Sequence, residues 1–152
     1  MPSGPLPGLL LFQGIRTDEV VKKVLDAAVG VGMEVALHLE PYEGRSAETV
    51  RDDLKYIETS YGSHKALHRG CGQQLPVMYV YDSYRIATGE WMRLLHPGGD
   101  MSIRGQEHDA CVFGLWLDRN DGTRIKDGGF DGMYTYFASD GFTVIRPAET
   151  LN

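Results

Sequence analysis

His38 and Glu40 stand two positions apart in the stretch MEVALHLEPYEGR. On an extended backbone, residues i and i+2 share a face about 7 Å apart, so this imidazole and carboxylate could together bind a hydroxyl or orient a water. The competing reading is a satisfied buried polar pair with no chemistry. The other chemically able side chains are mostly phenols. Tyr79 and Tyr81 share one face of LPVMYVYDSY, with Asp82 and Tyr84 at its end, and Tyr134 and Tyr136 share a face of GGFDGMYTYFASDGF. A phenol joins an apolar ring to a hydroxyl that both donates and accepts, which suits stacking on a sugar. An aromatic core whose hydroxyls reach backbone is the alternative.

Other chemistries find little support. His64, His68, His96 and His108 lie in loops or at helix ends with no metal-ligand spacing such as HExxH, and they read as surface or capping residues. Neither a GxSxG elbow nor a P-loop occurs. The acidic run DRNDGTRIKDGGFDG lacks the closing bidentate Glu of a calcium loop and reads as a turn, a helix stub and a strand entry. Asp52, Asp53 and Glu58 fall on the outer side of a helix and read as solvated. No metal site and no organic cofactor is expected.

The positioning elements alternate. Thr17 is placed to cap a helix over Val20, Val21, Val24, Leu25 and Ala28, ended by Gly30 or Gly32. A strand follows from Glu34 to Glu40. Ser46 caps a second helix with the apolar stripe Val50, Leu54 and Ile57, closed by Gly62. Strands are expected at Leu75–Tyr84, from Ala110 through ACVFGLWLD, and at Met133–Ser139. A short helix capped by Thr88 and a segment around Arg124–Lys126 fall between them. Strands alternating with helical segments make a parallel α/β series. The Gly-rich phosphate turn of a Rossmann fold is absent. In the first of these strands Val35, Leu37 and Leu39 form one face. Ala36, His38 and Glu40 form the other, which grows more polar toward the C-terminal end. That pattern fits a (β/α) barrel, apolar toward its helices and polar at the mouth of its lumen.

Composition agrees with one globular domain. The chain has 152 residues, 42% of them hydrophobic and 24% charged, with a net charge of −6 and no run of Lys or Arg. Nucleic acid and anionic membranes are therefore poor partners. The apolar run Leu9–Phe12 is too short for a signal peptide or a membrane span, and Pro5 and Pro7 suggest a loose lead-in. Cys71 and Cys111 allow one disulfide at most, and spacing does not decide whether it forms.

The segments VALHLEPYEGR, YIETSYGSH, LPVMYVYDSY, SIRGQEHDACVFGLWL and GGFDGMYTYFASDGF resemble the endo-α-1,2-mannosidase family, glycoside hydrolase family 99. The resemblance runs from about Val24 to Phe142. It implies a partial (β/α)8 barrel of about four consecutive units over residues 17–142, flanked by a lead-in (1–16) and a tail (143–152) unlike the family. It further implies a retaining glycosidase that cleaves an α-1,2-mannosyl linkage in glucosylated N-glycans, membrane-anchored in the Golgi lumen. By the match, His38, Glu40 and Tyr42, then Tyr81, Asp82 and Tyr84, then Tyr134 and Tyr136 bind or support the sugar. The family's catalytic glutamates belong to a later Asn-Glu-Trp-His-Glu-Gly motif that residues 1–152 do not contain. The Glu-Trp of GEWM, Gly89–Met92, lacks its flanking residues and is a decoy. The resemblance thus implies a truncated, inactive form whose partner is a mannose-containing N-glycan. Self-association through open barrel edges is a further expectation.

Overall fold

The computed structural model describes residues 6–12, 18–72 and 74–135, with the backbone alone for Leu6–Phe12, Asp18 and Glu19. The order is β1 (Leu6–Phe12), α1 (Asp18–Val31), β2 (Met33–Leu39), α2 (Ala47–Tyr61), β3 (Arg69–Gly70), β4 (Leu75–Val80), a 3-10 turn (Ser83–Arg85), α3 (Thr88–Leu95), β5 (Cys111–Leu115), α4 (Asp121–Gly128) and β6 (Gly132–Tyr134). The sheet runs β1-β2-β4-β5-β6 with every neighbour parallel, and the short β3 adds antiparallel to β4. A helix follows each of β1, β2, β4 and β5, as parallel pairing requires of a crossover.

The alternation seen in the sequence sorts the two faces. Val35, Leu37 and Leu39 of β2, Met78 and Val80 of β4 and Val112 of β5 pack under the helices. Against them lie Val21 and Leu25 of α1, Val50, Leu54 and Ile57 of α2, and Trp91, Leu94 and Leu95 of α3. Ala36, Val77 and Cys111 form a second cluster on the opposite face, with Tyr79 and Phe113 packed against it. Two glycines let α4 and the last strand close in. A Cβ on Gly114 would stand 2.9 Å from Cγ1 of Ile125, and one on Gly132 would meet the Phe113 ring at 2.5 Å.

Several boundaries differ from the sequence expectation. Leu6–Phe12 is a strand in full register with β2, from Leu6 opposite Met33 to Phe12 opposite Leu39, not a loose lead-in. Pro7 is tolerated because β1 pairs on one side only among the described residues. The second expected strand stops at Val80, because Asp82 takes left-handed backbone (φ 49°) and turns the chain into the 3-10 segment. The segment around Arg124 is a full helix, α4. Ser46 caps α2 as expected, in a box with Thr49: each backbone N–H donates to the other's hydroxyl. Thr88 does not cap α3; it is the first helical residue, and Ala87 holds the cap position with no side-chain bond. The cap expected at Thr17 and the strand beyond Thr135 lie outside the described residues.

Cys71 and Cys111 form a disulfide across a sequence separation of 40, with their Cα atoms 5.8 Å apart. It fastens the β3–β4 turn to the N-terminal end of β5. Arg104 braces the same end. Its guanidinium donates to the carbonyls of Leu95, Ala110 and Gly129 and to the carboxylates of Asp109 and Asp131. No helix among the described residues is long and apolar enough to cross a membrane.

Candidate functional site: a polar wall at the C-terminal strand ends

On the face away from the helices, β2, β4 and β6 bring distant residues together. His38 is 1% exposed, one residue before β2 ends. Its Nδ1 lies 2.9 Å from Glu40 Oε1, a close but bent contact, and its Nε2 lies 2.7 Å from Tyr134 Oη. An acceptor carboxylate favours the tautomer with its proton on Nδ1. Nε2 is then the acceptor, and the Tyr134 hydroxyl donates to it. The rings of Tyr81 and Tyr134 meet the imidazole edge-on, with centroids 5.4 and 5.8 Å away. Tyr79 stacks on Phe113 at 5.2 Å and meets Tyr134 edge-on at 5.1 Å. Burial pushes the His38 pKa below its ordinary value, and Glu40 opposes that shift. The imidazole is therefore a neutral link between a carboxylate and a phenol.

The rim beside this wall is built by the loops after β2 and β4. Asp82 is 6% exposed; it accepts the Tyr84 hydroxyl at Oδ1 (2.8 Å) and pairs with Arg85 Nε at Oδ2 (2.8 Å). Tyr42, half-buried, donates its hydroxyl to Asp53 Oδ2 at 2.6 Å. Burial, with Asp53 beside it, raises the Tyr42 pKa to about 12, and burial raises that of Asp53 as well. Asp53 is thus no solvated helix carboxylate; it anchors a rim tyrosine. Arg45 reaches over from the β2 loop, donating to the carbonyls of Tyr81 and Asp82 at 2.7 Å each.

His38, Glu40, Tyr81 and Tyr134 therefore come together, with Asp82, Tyr84 and Tyr42 in the adjoining rim. Tyr136 lies outside the described residues. Sequence reasoning missed Arg45, a loop cation with no periodic signal, and Asp53. It also held His38 and Glu40 about 7 Å apart, a backbone spacing; the side chains lean together into contact. The loop histidines are structural: His64 contacts Asp26, His68 contacts Glu34, and His96 donates to the Asp127 carbonyl. In GEWM, Trp91 is buried and donates to the Ser83 carbonyl, while Glu90 pairs with Arg93.

One cluster of possible metal ligands exists among the described residues: Cys71, Cys111 and Asp131, with ligand atoms within 4.8 Å of one another. It sits at the other end of the sheet from the polar wall. Its sulfurs are joined in the disulfide, and Asp131 accepts from Arg104 and from the Val112 N–H. That donor set does not suit a metal ion.

A carboxylate–imidazole–phenol chain flanked by aromatic rings can hold a hydroxyl-rich, ring-shaped ligand, and the chain as a whole is similar to known proteins. The family model described as Glycosyl hydrolase family 99 matches residues 12–150, thus including residues 143–150, which the sequence reading set apart as a tail. A human protein described as "Glycoprotein endo-alpha-1,2-mannosidase-like protein" is 42% identical over 140 residues, covering 90% of this chain and 31% of the relative. The Xenopus laevis "Glycoprotein endo-alpha-1,2-mannosidase" is 39% identical over 140 residues, again 90% of this chain and 31% of that protein. The chain thus spans about a third of the length of these curated relatives. The solved structure of the GH99 endo-alpha-mannosidase from Bacteroides thetaiotaomicron superposes with a TM-score of 0.82 at 38% identity, over 89% of this chain and 40% of that one. The parallel sheet and its helices are accordingly part of a (β/α) barrel, with the polar wall at the lumen. The chain belongs to glycosyl hydrolase family 99.

Proposed function

We propose that this chain forms the sugar-binding side of an endo-α-1,2-mannosidase barrel that acts on mannose-containing N-glycans in the Golgi lumen. The Glu40–His38–Tyr134 chain is the observation that carries the reading. It fixes a phenol oxygen and a carboxylate at the strand ends where barrel enzymes bind their substrates. Tyr81, Asp82, Tyr84 and Tyr42 supply the adjoining rim, and Tyr136, outside the described residues, is assigned to sugar binding by the family resemblance alone. The rings present apolar faces to the C–H face of a pyranose, and the polar groups bond its hydroxyls.

Residues 1–152 by themselves hydrolyse no α-mannoside in this reading. Glycosidase chemistry of this class needs two carboxyl groups placed about the scissile bond. Glu40 is engaged with His38, and Asp82 with Tyr84 and Arg85. The family's Asn-Glu-Trp-His-Glu-Gly motif is absent from these residues. The isolated chain is a binding half, and it self-associates through the edges at β1 and β6, each paired on one side among the described residues.

The test uses a full-length relative carrying these segments. Tyr84→Phe and Tyr136→Phe should reduce α-mannosidase turnover more than Tyr56→Phe, whose ring lies on α2 against Tyr61. Equal effects at all three positions would make the tyrosines core residues rather than a binding rim.

A further inference from the structure

Arg45 is neither in the aromatic wall nor exposed like an ordinary loop arginine. Burial depresses its pKa, an effect opposed first by Asp82. In an extended strand successive carbonyls point to opposite sides. The left-handed backbone at Asp82 breaks that alternation, and the carbonyls of Tyr81 and Asp82 both meet the guanidinium. Nη1 donates to the first and Nη2 to the second, each at 2.7 Å. A non-glycine residue in that conformation persists where its surroundings hold it. The planar fork of an arginine fits two such acceptors, which the single nitrogen of a lysine does not.

The turn that Arg45 grips holds the rim. The Asp82 carbonyl accepts from both Arg45 and the Arg85 N–H, closing the 3-10 segment. The Asp82 carboxylate takes the Tyr84 hydroxyl, and the Ser83 hydroxyl accepts the Leu115 N–H of β5. On its own side Arg45 immediately precedes the α2 cap Ser46 and follows the loop bearing Glu40 and Tyr42.

We propose that Arg45 is a positioning residue for glycan binding. It ties the loop after β2 to the turn after β4, so that Glu40 and Tyr42 on one side and Asp82 and Tyr84 on the other present one rigid wall to the sugar. The inference rests on the glycan-binding reading of this rim, but its first readout does not.

That readout is amide hydrogen exchange of the free chain, resolved by residue, in wild type, Arg45→Lys and Arg45→Ala. Exchange at Arg85 and Ile86 should quicken about tenfold in Arg45→Lys, as expected for losing a charge-assisted bond, while amides of α3 such as Leu94 hold their rates. Guanidinium ion at non-denaturing concentration should slow these two amides again in Arg45→Ala. Unchanged exchange at Arg85 and Ile86, or acceleration spread evenly over the chain without rescue, would overturn the proposal. The second readout is affinity for α-1,2-mannobiose, which should weaken about tenfold in Arg45→Lys. Equal affinity in wild type and Arg45→Lys would also overturn it. Should wild type bind no mannobiose while the local exchange pattern holds, the glycan reading fails and the bracing role of Arg45 stands.

Discussion

Replacing Tyr134 by phenylalanine removes one oxygen and little volume, so its cost reports on the hydroxyl rather than on the packing of the ring. The Tyr134 hydroxyl donates to Nε2 of His38, a side chain 1% exposed. Without it, Nε2 is a buried acceptor that has lost its donor, and an orphaned buried polar atom costs about 1–3 kcal/mol. For a chain of this size each kcal/mol lowers the melting temperature by about 2–4 °C, so Tyr134→Phe should melt roughly 2–12 °C below wild type. The assay is thermal or urea unfolding of wild type, Tyr134→Phe, His38→Leu and the double variant. With His38→Leu in place the acceptor is gone, so the further change to phenylalanine should cost less than about 0.5 kcal/mol, leaving a coupling of about 0.5–3 kcal/mol. A Tyr134→Phe variant as stable as wild type, or two additive substitutions, would refute the contact and with it the chain from Glu40 to Tyr134.

The Cys71–Cys111 disulfide closes a separation of 40 residues, worth about 4 kcal/mol of chain entropy, so Cys111→Ala or reduction should lower the melting temperature by about 8–16 °C; a loss under about 1 kcal/mol would show that Arg104 alone secures that end. Burial holds His38 and His108 below the ordinary value of 6.5, so the unfolded chain takes up protons first on acidification. Stability should be full above about pH 6.5 and fall as pH drops toward the native values, and His38→Gln should flatten part of that slope; an unchanged slope would place His38 in water. Tyr42 should ionise only near pH 12, and Asp53→Asn should alter that titration while leaving the other tyrosines as they were.

What the sequence made legible follows from period-2 alternation. Val35, Leu37 and Leu39 against Ala36, His38 and Glu40 give the strand and both of its faces, and Ser46 gives the start of α2. The contacts that make the wall are long-range. Tyr134 meets His38 across 96 positions, and no local pattern encodes that pairing. The disulfide is likewise invisible to spacing. Arg45 and Asp53 look solvated because charge on a loop or outer helix face usually is, and only the turn at Asp82 and the Tyr42 hydroxyl give them partners. Leu6–Phe12 misleads through Pro7, which a strand paired on one side tolerates.

The wall of His38, Glu40, Tyr81 and Tyr134, with its rim, is proposed to bind a mannose-containing glycan. Titration of the chain with α-1,2-mannobiose, followed through the tyrosine ring resonances in NMR spectra, tests it most directly. Tyr81, Tyr84 and Tyr134 should shift together along one binding curve while Tyr56 and Tyr61 stay in place, and Glu40→Gln should weaken that curve. No shift at saturating disaccharide, or equal shifts at the α2 tyrosines, would contradict the account.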